Sequence, residues 1–310
     1  MTLCGFEIAP GEKQQVKLPV PGGAPLEVWL LCGAHPGKTL VVTAGVHGCE
    51  YIGILALQKL VETLDCATLY GQVILLPLVN PKGFFAGVKQ LNPADSKNLN
   101  REFPGKADGT ETQRMAWTIE KLLYPEADFL LDLHSGDWNE ELAPLVFFPC
   151  GAGQKLEQET RRAAQALSVS MRVCSTARNG LYSWAAQKGI PALLLERGGN
   201  GRWTPEEVEA DCEDVLRLMN HLGIRKEAFY AVPQTEIAKA VYEEAPADGY
   251  WFPEVCAGQK VLKDELLGRW KSSDGTQNFE VRARFAGQVL YETTTLGVRR
   301  NDLLVAYGTA

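Results

Sequence analysis

Short apolar runs alternate with amphipathic segments over the first two thirds of the chain. The runs "TLVVTA", "QVILLPLV", "FLLDLH" and "PALLLE" are strand-length and almost wholly apolar, which is typical of strands buried on both faces. Between them, residues 111–124 place Met115, Ile119 and Leu122 on one face of a helix. The alternation predicts an α/β fold with a mostly parallel or mixed sheet between helices.

The pattern changes at about residue 228. A long helix is predicted before it, with Thr204 as N-cap, Pro205 in the first turn and Gly223 after its end. The later segments are short and separated by Gly and Pro, as in "ADGYWFPEV" and "GQVLYETTT". We therefore predict a catalytic domain over 1–228 and a small all-β domain over 229–310.

Composition excludes several classes of function. The net charge of −7 argues against a nucleic-acid partner, and no apolar run approaches the roughly 20 residues of a membrane span. The start of the chain has no basic segment followed by an apolar one, so no secretory signal is predicted. Eight cysteines without C-x-x-C spacing suit reduced thiols, and we expect a cytoplasmic protein. A homo-oligomer is left open.

Three of the apolar runs lead to residues that can bind a metal or carry a proton. "TLVVTAG" leads to His47 and Glu50 in "GVHGCE", "FLLDLH" ends in His134, and "PALLLE" ends in Glu196. Ligands of open α/β sheets bind beyond the carboxyl ends of strands, so these side chains are expected to lie close together.

His47, Glu50 and His134 form a ligand set typical of catalytic zinc, which takes three protein ligands and leaves a position for water. The H-x-x-E spacing brings two ligands to one side of a turn from strand to helix. The pair alone also fits a surface-loop histidine and the first acid of a helix.

Two further acids lie beside this set. Asp132 precedes His134 by two residues, so it would share its face of a strand and could orient it, or could instead bond to backbone. Glu196 ends an apolar strand, where burial would raise its proton affinity, as suits a general base. The alternative for Glu196 is an ion pair with Arg197.

The polar segment "DSKNLNREFPG" interrupts the α/β alternation at residues 95–105. It contains Asn100 and Arg101. An arginine fork together with an amide donor binds a carboxylate well, so this pair is a candidate for substrate binding. A surface loop is the alternative.

"GVHGCE", "NLNREFPG", "DLHSG" and "LLLERGG", in this order, resemble the succinylglutamate desuccinylase/aspartoacylase family, whose fold is that of the zinc carboxypeptidases. The resemblance implies one Zn²⁺ per chain on His47, Glu50 and His134, with Glu196 as base and proton shuttle. It implies Asn100 and Arg101 as the carboxylate-binding pair. The implied reaction is hydrolysis of the amide bond of a small N-acylated amine or amino acid.

The chain departs from the family pattern in two places. Family members carry an arginine before the Asn-Arg pair that polarises the scissile carbonyl, whereas this window reads "KQLNPADSKN". Lys89, Lys97 or Gln90 could replace it. The arginine that grips a second carboxylate is also missing, so a dicarboxylic substrate such as N-acetylaspartate is less expected.

Four other functions compete with a deacylase. A metallocarboxypeptidase acting on short peptides would share the chemistry, and a homologue that binds metal or substrate without catalysis would explain the missing arginine. A thiol hydrolase would use Cys49, which has no evident orienting group. A lipoyl- or biotin-carrier role for the β-rich segment lacks a lysine at a hairpin tip.

Overall fold

The computed structural model describes residues 1–310 and has a nine-stranded mixed sheet at its centre. Five neighbouring pairs of strands run parallel and three antiparallel. In spatial order the strands are Thr235–Ile237, Met171–Ser175, Leu145–Pro149, Ala192–Glu196, Phe129–His134, His35–Ala44, Tyr70–Leu76, Leu26–Cys32 and Lys13–Leu18. The predicted α/β class is confirmed.

Helices cover both faces of this sheet. One face packs against Tyr51–Thr63, Gln154–Ala166 and Pro205–His221 through a cluster of 32 buried residues. The other packs against Glu111–Leu122 and Leu181–Gln187 through a cluster of 28. A short helix, Pro81–Ala86, follows the strand Tyr70–Leu76. No helix of the fold combines the length and apolar character needed to cross a membrane.

The C-terminal segment forms two antiparallel sheets, as its sequence pattern predicts. One has the order Glu140–Leu142, Gly287–Thr293, Leu303–Thr309 and Lys239–Glu244, with Lys260–Val261 added beside Gly287–Thr293. The other has the order Asn278–Arg282, Leu266–Ser272, Gly249–Pro253 and Gly297–Val298. Two-stranded ribbons occur at Thr2–Leu3 with Phe6–Glu7 and at Leu91–Asn92 with Lys97–Asn98.

The two parts of the chain exchange strands. Glu140–Leu142 lies before residue 228 but pairs with the C-terminal strand Gly287–Thr293. Thr235–Ile237 lies after residue 228 but extends the central sheet beside Met171–Ser175. A domain boundary at residue 228 remains a prediction. The exchanged strands join the β-rich part to the rest of the chain by backbone pairing.

The expectation that all cysteines are reduced is wrong for one pair. Cys150 and Cys174 form a disulfide, with their Cα atoms 5.7 Å apart. Cys150 directly follows the strand Leu145–Pro149, and Cys174 lies in the adjacent parallel strand Met171–Ser175. Because 24 residues separate them, only the strand pairing reveals their proximity.

Two glutamates that face each other where the strand Glu140–Leu142 pairs with Gly287–Thr293 are expected to make the stability of the fold depend on pH. Glu292 is buried directly opposite Glu141, and burial together with the Glu141 charge raises the pKa of Glu292 to about 7. The folded state therefore keeps a proton that the unfolded chain loses near pH 4.5, and stability falls as the pH rises between these values. We expect Glu292→Gln to be about 1–2 kcal/mol more stable than the wild type at pH 8.

Thermal unfolding of both proteins at pH 5 and pH 8 measures this difference. Because Glu141→Gln removes the opposing charge but leaves burial unchanged, it should recover only part of the gain. An equal pH dependence in the wild type and Glu292→Gln would show that the pair does not control it.

Candidate functional site

All six predicted site residues line one cavity of about 340 Å³. It lies at the carboxyl ends of three adjacent parallel strands, His35–Ala44, Phe129–His134 and Ala192–Glu196. The residues are His47, Glu50, Asn100, Arg101, His134 and Glu196. Strand pairing sets Glu196 directly beside His134. His47 and Glu50 lie in the turn between Ala44 and the helix that begins at Tyr51.

His47 directs its Nδ1 atom at Glu50. Its Nε2 lies 3.1 Å from Oδ1 of Asn98, an acceptor, so Nε2 carries the hydrogen and donates it. In the neutral imidazole Nδ1 is then unprotonated, and it lies 2.6 Å from Oε1 of Glu50. Two electron-rich atoms this close need a positive charge between or beside them.

His134 repeats this arrangement from the neighbouring strand. Its Nε2 donates to Oδ2 of Asp132 at 3.0 Å, and Asp132 is held in turn by the Thr43 hydroxyl at 2.6 Å. Its Nδ1 lies 2.8 Å from Oε2 of Glu50, an oxygen with no hydrogen-bond donor. The structure thus favours an orienting role for Asp132 over a bond to backbone.

This donor set fits a divalent cation. One ligand atom each from His47, Glu50 and His134 lies within 4.8 Å of the others, and all three residues are buried. Although burial opposes ionisation, positive charge on the protonated imidazoles lowers the pKa of Glu50 to about 2, and a bound cation would keep the carboxylate charged in the same way. Two imidazoles and one carboxylate match the ligands of catalytic zinc. The alternative of a surface-loop His47 is wrong.

Glu196 has the environment that a general base needs. Burial raises its pKa well above the usual value, helped by the charges of Glu50 and Glu140 and opposed by His134. Its Oε2 is buried without a hydrogen-bond partner. The alternative ion pair with Arg197 is wrong, because that guanidinium instead binds two aspartates of the last long helix, Asp211 and Asp214.

Asn100 is fixed with its amide nitrogen left for a ligand. Its Oδ1 accepts a hydrogen bond of 2.8 Å from the backbone N–H of Leu181, at the start of a helix. A Cβ at Gly180 would lie only 2.4 Å from this oxygen, so the position requires glycine. Arg101 is exposed at the cavity, and its Nη1 donates to the Asn100 carbonyl at 2.8 Å.

Of the three candidates for the missing arginine, only Gln90 lines the cavity. Its Nε2 donates to Oδ2 of Asp137 at 2.9 Å, and its Oε1 accepts from Asn98. Lys97 is paired with Glu102 at 3.0 Å, whereas Lys89 lies 3.5 Å from Asp137. Gln90 therefore belongs to a network that reaches His47 through Asn98.

Asp137 also accounts for Cys49. The Cys49 thiol is buried and donates to Oδ1 of Asp137 at 3.0 Å. Burial and this carboxylate raise the pKa of the thiol far above its usual value. A thiol held protonated in this way is a poor nucleophile, which argues against the thiol hydrolase.

Sequence reasoning missed two groups of cavity residues. In the first group, Ser135 and Asp137 lie in or directly after the segment "DLHSG", and their polarity was the only signal. Asn98, which contacts His47 but does not line the cavity, lies in "NLNRE". The second group comes from the β-rich sheet and carries no signal in local sequence. It comprises Glu140, Leu142, Tyr242, Glu244, Tyr291 and Leu303.

Comparison with known proteins places this cavity in a family context. The family model described as succinylglutamate desuccinylase/aspartoacylase catalytic domain matches residues 36–222. N-alpha-acetyl-L-2,4-diaminobutyric acid deacetylase of Halomonas elongata is 31% identical over 278 residues, covering 86% of this chain and 81% of that protein.

Solved structures share the fold over nearly the whole chain. The product-bound ectoine utilization protein EutE (DoeB) of Ruegeria pomeroyi has a TM-score of 0.85 at 25% identity, covering 96% of this chain and 94% of its own. A succinylglutamate desuccinylase/aspartoacylase of Rhodobacter sphaeroides has a TM-score of 0.87 at 25% identity, covering 98% of each chain.

Proposed function

The chain belongs to the succinylglutamate desuccinylase/aspartoacylase family, and from its site we propose that it is a zinc-dependent hydrolase of small N-acylated amino acids. The Halomonas elongata relative, which is named for removing an acetyl group from a diamino acid, supports amide deacylation. The observation that carries the proposal is the position of the His47 and His134 Nδ1 atoms, 2.6 and 2.8 Å from the two Glu50 carboxylate oxygens, beside the unpaired carboxyl group of Glu196.

Each residue then has a defined task. Zinc held by His47, Glu50 and His134 would polarise the acyl carbonyl and lower the pKa of a water toward about 7. Glu196 takes the proton from the attacking water and delivers it to the leaving nitrogen. Its raised pKa suits this exchange, because a strongly acidic carboxyl group would not hold the proton between the two transfers.

Substrate placement falls to the polar segment before the helix Glu111–Leu122. The Arg101 guanidinium and the Asn100 amide would hold the α-carboxylate of the amino acid. Gln90, which lines the cavity, would act as a neutral donor in place of the family's arginine, and its hydrogen bond to Asp137 sets its orientation. The expectation that dicarboxylic substrates are disfavoured stays part of this proposal.

The cavity favours a deacylase over a peptidase. The C-terminal sheet forms one of its walls, and a volume of about 340 Å³ suits a small molecule better than a peptide. A homologue without catalysis would have no need for a half-buried Glu196 whose Oε2 has no partner beside the ligand set.

We also propose that the protein is cytoplasmic.

The test is release of a primary amine from N-acetyl amino acids. We expect turnover with the zinc-loaded protein, loss of turnover after chelation, and recovery on adding zinc. A short peptide with a free C-terminus, supplied at the same concentration, distinguishes the carboxypeptidase. Faster release of its C-terminal residue than of acetate would overturn the deacylase.

A further inference from the structure

The Cys150–Cys174 disulfide anchors the start of a loop that leads to the cavity. Cys174 is the last residue but one of its strand, and residues 176–180 connect that strand to the helix Leu181–Gln187. On the other side of the bridge, the Cys150 N–H donates to the Ser175 carbonyl at 2.8 Å. The bridge and this hydrogen bond therefore fix the point at which the loop begins.

The far end of this loop holds the two residues proposed to bind the substrate carboxylate. The Asn179 side-chain amide donates to the Arg101 carbonyl at 3.2 Å, and the Asn179 carbonyl accepts from the Phe103 N–H at 3.3 Å. The Leu181 N–H, directly after the loop, donates to Oδ1 of Asn100 at 2.8 Å. The positions of Asn100 and Arg101 therefore depend on the loop.

Few other contacts restrain the loop. Residues 176–179 are all exposed, so none of them joins the cores on either face of the central sheet. The Ala177 N–H donates to the Ser175 hydroxyl at 3.3 Å, and the Arg178 carbonyl accepts from the Gln187 side chain. Segments with few buried contacts open locally at a small cost in free energy. The covalent anchor at its start is therefore a main restraint on this loop.

The bridge lies where a reductant can reach it. Cys174 is exposed and Cys150 is half-buried. Exposed disulfides are typically the labile or regulatory ones, and those of cytoplasmic proteins, the location proposed above, are usually transient. A cellular dithiol would reduce the bridge: the S–S bond breaks, each sulfur gains one electron and one proton, and the dithiol is oxidised to a disulfide.

Resting on the function proposed above, we propose that the Cys150–Cys174 pair is a redox switch for substrate affinity. The disulfide holds the loop, and with it Asn100 and Arg101, in the arrangement that binds the substrate carboxylate. Reduction frees the start of the loop and weakens that binding. The metal ligands and Glu196 form no hydrogen bond with the loop, so reduction should leave zinc content and kcat unchanged.

Steady-state kinetics on one zinc-loaded preparation, either oxidised or treated with a phosphine, test the switch. The phosphine cleaves the bridge and is itself oxidised to the phosphine oxide. We expect KM for an N-acetyl amino acid to rise about fivefold to tenfold on reduction, which is the lower part of the range for coupling between two sites. Zinc content is measured on the same samples. Equal KM values for the two forms would overturn the proposal.

Three variants locate the effect. Cys150→Ser/Cys174→Ser cannot form the bridge and should show the higher KM with or without reductant. Asn179→Ala keeps the bridge but removes the side-chain bond to Arg101, so its KM should be raised in the oxidised form and should respond less to reduction. The control is Cys256→Ser, which removes an exposed, unpaired thiol and should retain the full response. A response that persists in the double variant, or disappears in the control, would contradict the switch.

Hydrogen exchange separates the switch from the proposed function. The Phe103 and Leu181 N–H groups, whose bonds join the loop region to the carboxylate-binding segment, should exchange about fivefold faster in the reduced protein. Faster exchange on reduction, with no hydrolysis of any N-acyl substrate, would support the anchor and contradict the deacylase alone. Hydrolysis with the same exchange rates and the same KM in both redox states would contradict the switch alone.

Discussion

Glu196→Gln is expected to lower kcat for deacylation by about three orders of magnitude, within the range of about 10²–10⁴ typical of a general acid–base group. Glutamine keeps the size and shape of the side chain but cannot accept and return a proton. Oε2 of Glu196 is buried without a hydrogen-bond partner, so no neighbouring donor would be stranded by the change. The loss should fall on kcat rather than on KM.

Single-turnover and steady-state assays, with zinc content measured on the same samples, check this expectation. Glu196 is not one of the three ligands, so zinc binding should stay at one per chain. A variant that keeps most of its activity would exclude Glu196 as the base. A variant that loses zinc would show that the residue serves the metal site.

His134→Ala should abolish zinc binding at neutral pH and with it all deacylase activity. The change leaves only His47 and Glu50 as ligands, and it strands the buried Asp132 carboxylate that Nε2 now satisfies. Zinc should raise the melting temperature of the wild type, because it binds the folded state. The same addition should leave the variant unchanged.

Two further variants provide comparisons for the loss of zinc expected in His134→Ala. Asp132→Asn keeps all three ligands but weakens the orientation of His134, so zinc affinity should fall by only about 10–100-fold. His221→Ala removes a histidine at the end of the last long helix, remote from the ligand set in sequence and fold, and should retain full zinc content. If the three variants lost zinc equally, the assignment of ligands would be wrong.

Local sequence predicted the core of this site because its residues end strands. Alternating apolar runs place His134 and Glu196 at the ends of strands that are adjacent and parallel, and the register pairs them directly. The turn after Ala44 places His47 and Glu50 beside them. Site residues that lie at the ends of buried strands can therefore be predicted from the residues that end or follow apolar runs in the sequence.

The rest of the site depends on contacts between distant segments. Glu244 reaches the cavity because its strand joins a sheet whose opposite edge strand carries Glu140, and these two edge strands lie far apart in the sequence. Asp137 meets Gln90 and Cys49 only after two loops fold together. The Cys150–Cys174 disulfide depends likewise on strand neighbours. No periodicity or motif reports such tertiary pairings.

Titration of the metal-free protein with zinc, with deacylase activity followed at each addition, tests the central claim most directly. The account predicts that activity is absent at the start, rises linearly with added zinc and reaches its maximum at one equivalent per chain. Activity in the metal-free protein, or zinc uptake at His47, Glu50 and His134 without any deacylation of N-acetyl amino acids, would contradict it.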